Sequence, residues 1–334
     1  MSSISISVFR KDISFTGLLL CLFLVFVACG GEEDESTTDE YKQKMRQFVQ
    51  DISAYTRSTK SDFIIIPQNG QELVTVNGQE DGSEATEYLN AIDGVGREDL
   101  FYGYDEDDLS TPVNDQEYMI TFLDLCEKNE VQVLTTDYCS THSKMDDSYN
   151  RNSMKGYISF AASERELHSI PDYPSAPFNE NNNSILTLKD ARNFLYLINT
   201  ENFASKANFI AAVKETNYDL IIMDLFFEDI PFTSLEIEQL KVKKNGGARL
   251  VICYMSVGEA EDYRYYWNAQ WTVGKPTWLQ EVNPDWPGNY KVNYWEKEWQ
   301  DIVYGNDNSY TKKIMDAGFD GVYLDIIDAF EYFE

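Results

Sequence analysis

Histidine is almost missing from this chain of 334 residues, which holds only His142 and His168. Neither has a partner at zinc-ligand spacing, which argues against a zinc site and against a nucleophile driven by a histidine base. Cysteine is also scarce. Beyond the N-terminal segment there are Cys126, Cys139 and Cys253, an odd number without short metal spacing, so a disulfide framework is not expected. Cys253 lies in "RLVICYM", a buried-strand pattern, and reads as a packed thiol. Basic residues are few: 27 Lys and Arg face 57 Asp and Glu, a formal net charge of −30. Such a surface repels nucleic acid and anionic membrane faces. It attracts a polycation, or it serves solubility alone.

Long apolar runs are missing too, with one exception. "GLLLCLFLVFVAC" spans residues 17–29 and follows Arg10 and Lys11. It is shorter than the roughly 20 residues of a spanning helix and matches the apolar region of a secretory signal. Ala28 before Cys29 predicts a lipoprotein signal over residues 1–28, with Cys29 acylated and inserted in the bilayer, although Phe26 is unusual there. The alternative is a plain N-terminal membrane anchor. Residues 29–38, Cys29 and the start of "GGEEDESTTDE" (30–40), read as an acidic tether too polar to fold. The expected location is the cell envelope, as an outer-membrane lipoprotein displayed at the surface.

What remains is about 300 residues, enough for two ordinary domains or one large barrel. Helical periodicity runs from about residue 39 to 59. Eight short apolar runs follow: "FIIIPQN", "IDGVGREDLFYG", "VQVLTTDY", "GYISFAA", "FLYLIN", "YDLIIMDLF", "RLVICYMSVG" and "FDGVYLDII". Continuous rather than alternating apolar runs indicate strands buried on both faces, as in a parallel sheet. Amphipathic stretches such as "FTSLEIEQLKVKKNGG" separate them, with Gly246 and Gly247 as a stop. Eight strand–helix units imply an α/β fold, a (β/α)8 TIM barrel. The competing arrangement is two four-stranded domains joined at 170–183, "IPDYPSAPFNENNN". Polar residues gather at the C-terminal ends of the runs: Gln68 and Asn69, Asp137, Asn199, Asp224, Ser256 with Glu259, and Asp325 with Asp328. A barrel puts its chemistry at that end, which favours one barrel with one mouth.

"YMSVGEAEDYRYYW" (254–267) and "GFDGVYLDIIDAFEYFE" (318–334) resemble the endo-alpha-1,4-polygalactosaminidase family, glycoside hydrolase family 114, and its relatives once mislabelled as cysteinyl-tRNA-synthetase-like extracellular proteins. In that family these segments belong to the first half of a barrel. Here the segments resembling the second half lie upstream: "FIIIPQNGQELV", "IDGVGREDLFYG", "VQVLTTDY" and "GYISFAASERELHSI". The resemblance therefore implies a circular permutation, with half-barrels over 39–169 and 184–334 joined by 170–183; a truncated or partial domain is the alternative. If the permutation is right, the strand at 319–327 pairs in parallel with the strand at 63–67.

The resemblance implies a glycoside hydrolase, retaining in mechanism, with Asp325 as nucleophile or charge stabiliser and Glu98 as acid/base. Asp99 and Glu72 compete with Glu98 for that role. Glycosidic cleavage needs two carboxyl groups, about 5–5.5 Å apart for retention and wider for inversion. Candidate substrate-binding residues are Asp224, Tyr254, Ser256, Glu259, Arg264, Asp328, Asn69, Asp137 and Tyr138. Trp267 and Trp278 are further candidates for stacking on sugar rings, or belong to the core. Arg264 with Glu259 and Asp262 forms a charged loop that reads as a subsite or as an Arg264–Glu259 ion pair. The expected partner is a polysaccharide, with a cationic galactosamine polymer suited to the acidic mouth. No metal or organic cofactor is implied. A non-catalytic carbohydrate-binding lipoprotein on the same fold is the rival reading.

Overall fold

The apolar runs do become strands. The structure, a computed structural model, describes residues 37–334. The expected signal segment and Cys29 lie outside the described residues. Eight strands are parallel to their neighbours: β1 Ile64–Pro67, β2 Gly94–Glu98, β3 Gln132–Tyr138, β4 Ile158–Ala162, β5 Phe194–Tyr196, β6 Leu220–Met223, β7 Leu250–Ser256 and β8 Gly321–Asp325. Their side chains are buried nearly throughout, as expected for strands covered on both faces.

The strands form a five-stranded sheet ordered β1-β8-β7-β6-β5 and a three-stranded sheet ordered β2-β3-β4. Ile64 pairs with Gly321 and Pro67 with Leu324, so the parallel contact expected between the two distant segments is present. That pairing carries the larger sheet across the sequence break at 170–183. At the β1/β2 seam, the Asn69 N–H donates to the Gly96 carbonyl (2.8 Å) and the Asp93 N–H to the Ile65 carbonyl (2.9 Å). Between β4 and β5 no strand ladder forms among the described residues. There the Phe160 and Phe194 rings meet at 5.7 Å, and the Ile198 N–H donates to the Leu167 carbonyl (3.1 Å).

Helix α1, Thr37–Thr59, buries Met45, Phe48, Val49 and Ile52, the one-face spacing its periodicity predicts. It packs against four elements: helix α2 (Thr86–Ala91), the 3-10 turn Gln71–Val74, the helix Tyr310–Ala317 that precedes β8, and the 3-10 turn Ile327–Tyr332 that follows it. The remaining helices are α3 Val113–Lys128, α4 His142–Lys155, α5 Lys206–Lys214, α6 Ser234–Leu240, α7 Lys297–Val303 and α8, which is Tyr310–Ala317. Gly318, at φ 89°, ends α8 in the left-handed conformation that suits glycine. No helix among the described residues is long and apolar enough to cross a membrane.

One expected unit departs from the pattern. Between β4 and β5 there is a 3-10 turn, Leu188–Asp190, and no α-helix among the described residues. The Pro- and Asn-rich segment there is pinned by side chains: Phe178 stacks on Tyr149 (4.8 Å), and Asn181 Nδ2 donates to Asp219 (2.8 Å). Asp219 also holds Lys243 Nζ at 2.9 Å, with both side chains fully buried. At the opposite end of the strands from the candidate site, Asp93 and Asp320 likewise accept from neighbouring-strand N–H groups, of Ile65 (2.8 Å) and Val251 (3.0 Å). These aspartates satisfy backbone donors.

Candidate active site

Three adjacent strands, β8, β1 and β2, leave the sheet at the same end, and each does so through a residue of positive φ. These are Ile326 (58°), Asn69 (62°) and Asp99 (58°). Asn and Asp tolerate that region; a β-branched residue there is a true outlier, at a cost of about 1–3 kcal/mol. The Ile326 turn is held from both sides. A Cβ on Gly258 would lie 2.1 Å from the Ile326 carbonyl oxygen, and one on Gly70 would lie 3.0 Å from Ile327 Cγ2. Sequence and packing thus fix the point where the chain turns just after Asp325.

Asp325 and Glu98 each receive a tyrosine hydroxyl. Tyr254 Oη donates to Asp325 Oδ2, and Tyr138 Oη donates to Glu98 Oε1. Asn69 clasps Glu98 in addition: its Nδ2 donates to Glu98 Oε2 (3.3 Å), and its Oδ1 accepts from the Glu98 N–H (3.2 Å). Both carboxyl side chains are half-buried. Burial, reinforced by the Glu98 charge, pushes Asp325 up to about 8, with the Tyr254 hydrogen bond opposing. Asp325 therefore keeps its proton near neutral pH, beside the Glu98 charge. One can give a proton while the other presents negative charge.

A second acidic group flanks them. Burial raises Asp328 to about 6, against the pull of Arg97, and raises Glu331 to about 7 with help from Asp328 and Glu72. Glu72 accepts from Tyr118 Oη (2.8 Å) and from Gln71 Nε2 (2.9 Å). Its charge therefore belongs with Asp328 and Glu331. Asp99 turns to Arg165, at 2.8 Å, and burial raises it to about 6. The same Arg165 lies over the Tyr138 ring at 4.1 Å. Neither Glu331 nor Arg165 was singled out in the sequence.

Several expected binding residues are occupied inside the fold. Asp137 is fully buried and accepts from the Phe101 N–H (2.8 Å), the Tyr102 N–H (3.3 Å), Ser148 Oγ (2.6 Å) and Asn152 Nδ2 (3.2 Å). Asp224 is bound to Arg264 at 2.7 Å and to the Phe226 N–H at 2.7 Å. The Arg264–Glu259 pair is corrected: Arg264 Nε meets Glu261 at 2.6 Å instead. Glu259 is fully buried among Asn283 (2.9 Å), Asn289 (3.2 Å) and Tyr332 Oη (2.8 Å). The sequence spacing favours neither acid, because both Glu259 and Glu261 lie on one short strand, Glu259–Glu261. That strand opens a three-stranded antiparallel excursion with Asn289–Val292 and Leu279–Val282. Ser256 Oγ donates to the Glu259 carbonyl (3.1 Å) within the same turn. Trp278 is core, between Trp271 (4.9 Å) and Trp299 (5.1 Å). Trp267 is half-buried against Tyr290 (4.9 Å).

Three curated relatives align with parts of the chain. An uncharacterized protein of Methanocaldococcus jannaschii is 44% identical over 126 residues, 37% of this chain and 34% of its own length. One of Thermotoga maritima is 38% identical over 120 residues, 36% of each chain. One of Deinococcus radiodurans is 40% identical over 121 residues, again 36% of each. The matched region thus spans about a third of the length of these relatives. Residues 175–334, the part that carries Asp325 but not Glu98, match Glycoside-hydrolase family GH114.

Proposed function

We propose that this protein is a glycoside hydrolase that cleaves an alpha-linked galactosamine-type or related polysaccharide with retention. Asp325 is the nucleophile or nearest charge stabiliser and Glu98 the acid/base. The observation that carries the reading is that Asp325 under Tyr254, and Glu98 under Tyr138 and Asn69, leave the same end of strands separated only by β1. For attack Asp325 must release the proton that burial holds on it and lie charged under the Tyr254 hydroxyl, while Glu98 carries the proton that the leaving oxygen takes. Departure of the sugar oxygen then takes that proton, and water completes hydrolysis with Glu98 as base. The acidic flank of Asp328 and Glu331 suits a substrate bearing free amines.

The fold reading that goes with it is a single permuted (β/α)8 barrel, with half-barrels over 39–169 and 184–334. Supporting it are the β1–β8 pairing, the hydrogen bonds at the β1/β2 seam and the position of α1 beside α8 and α2, where a helix linking β8 to β1 belongs. Attachment to the outer membrane through acylated Cys29 completes the proposal, and would hold the substrate near the membrane surface.

The test is release of reducing ends from polygalactosamine and related glycans by the full chain, Asp325→Asn and Glu98→Gln. Wild type should release them, and each variant should lose at least a hundredfold in rate. A wild type that retains the polymer in a pull-down but releases nothing would instead mark a carbohydrate-binding protein.

A further inference from the structure

Strand alternation places residues i and i+2 on one face, so Tyr323 lies one layer beneath Asp325 and Gly96 one layer beneath Glu98. The two layers meet. A Cβ on Gly96 would lie only 2.0 Å from Tyr323 Oη, so the phenol reaches from β8 past β1 to β2, where only glycine leaves room for it. Tyr323 is fully buried, and its hydroxyl has no hydrogen-bonding partner among the described residues. Its neighbour Tyr196, in edge contact at 5.3 Å, shows the ordinary solution: Tyr196 Oη donates to Gln68 Oε1 at 2.8 Å. A buried hydroxyl left open calls for an explanation, since most such groups find a partner.

We propose that Tyr323 is a positioning residue whose hydroxyl donates from below to whichever of Glu98 and Asp325 carries the negative charge as the proton moves between them. The inference rests on the glycosidase reading for its place in turnover, but not for the hydrogen bond itself. The groups facing Tyr323 are Glu98 on β2, Asp325 on its own strand, Tyr196 on β5 and the Arg97 charge. Burial first, then Glu98 and Asp325, raise the Tyr323 phenol well above its usual value, so it stays a neutral donor throughout the working range. Tyr254 and Tyr138 are each committed to one carboxylate, whereas the Tyr323 hydroxyl is committed to none. Such a donor favours the ionised form and lowers the pKa of the pair.

Tyr323→Phe separates this role from a merely structural one. A structural hydroxyl without a partner is dispensable, and its loss leaves stability unchanged or improved. A positioning hydroxyl predicts the same melting temperature or a higher one, but a kcat about tenfold lower and both limbs of the pH profile displaced upward. Carboxyl titration by 13C NMR in the full chain, assigned with Asp325→Asn and Glu98→Gln, should show the pair's pKa values rise in Tyr323→Phe. Incorporating 3-fluorotyrosine at 323, nearly isosteric but a stronger donor, should lower them. Carboxyl pKa values unmoved by both changes overturn the proposal. If wild type releases no reducing ends while the carboxyl shifts appear, the glycosidase reading fails and the Tyr323 hydrogen bond stands.

Discussion

The Tyr254 hydroxyl donates to Oδ2 of Asp325 from the adjacent strand β7, where Tyr323 and Tyr254 are register partners and Asp325 lies opposite Ser256. The donor therefore comes from two register pairs, one same-facing layer, below the carboxylate it serves. It opposes the burial and the Glu98 charge that raise Asp325. Tyr254→Phe should therefore push the Asp325 pKa higher still. A hydrogen bond to a charged group is worth about 1.5–3 kcal/mol, so activity at neutral pH should fall roughly 10- to 100-fold. The acid limb of kcat/KM should move to higher pH. A rate loss with no displacement of that limb would assign Tyr254 to substrate contact instead.

Asp325 also links pH to stability. Its pKa of about 8 in the fold lies above the ordinary value near 3.9. Below pH 4 the group is protonated in both states and costs nothing. As pH rises toward 8 the unfolded chain releases its proton first, so the native state loses stability through that window. Asp325→Asn removes the titration. It should raise the melting temperature little at pH 4 and more at pH 8, by roughly 2–4 °C for each kcal/mol recovered. A gain equal at both pH values would show that burial of the charge is not the cause.

Much of this arrangement can be read in the sequence, and the limits have physical causes. Each of the eight apolar runs contains one parallel strand, because continuous Val, Ile and Leu cannot alternate between core and solvent. Asp325 stands among the polar residues at the strand ends, whereas the pairing of Asp325 with Glu98 follows from the family resemblance alone. Asp137 sits at a strand end too, yet it turns inward to four donors, and nothing local to "TTDY" reveals Ser148 and Asn152 on the following helix. Arg264 is three residues from Glu261 and five from Glu259; the choice depends on Asn283, Asn289 and Tyr332, which occupy Glu259 from elsewhere in the chain. Tyr323 was available to simple alternation, two residues before Asp325. Its open hydroxyl was not, since that depends on Gly96 in a distant strand.

The break at 170–183 looked like a loose joint in the sequence, but its attachment to Asp219 makes it part of the fold. Lys243 and Asp219 form a fully buried ion pair that also holds Asn181 and the Arg192 N–H (2.9 Å). Removing one partner of a buried pair strands the other charge, at a cost of about 3–5 kcal/mol. Lys243→Met should therefore lower stability by that amount in thermal or denaturant unfolding. Lys243→Met combined with Asp219→Asn should recover much of it, because the amide keeps an acceptor without the charge. A double variant no better than the single one would mean the carboxylate's other contacts, not the ion pair, set the cost.

The proposed permutation can be tested by relinking the chain. Tyr41 on α1 faces Phe333 at 5.4 Å between ring centres, Lys42 meets Glu334, and Lys42 Nζ lies 4.7 Å from the Phe330 ring centre. The start of α1 and residue 334 are thus close enough for a short flexible linker to join Glu334 to Thr37. A new opening between Ser175 and Ala176, both exposed, would restore the order implied by the family resemblance. Chain connectivity affects the entropy of loop closure by little more than about 1 kcal/mol when the joined ends are neighbours. The relinked chain should therefore fold with the same circular dichroism and a melting temperature within a few degrees of the original. It should also retain reducing-end release if the parent has it. A relinked chain that fails to fold would mean that α1 docks onto the β8 segment only in the existing order, which counts against the permuted-barrel reading.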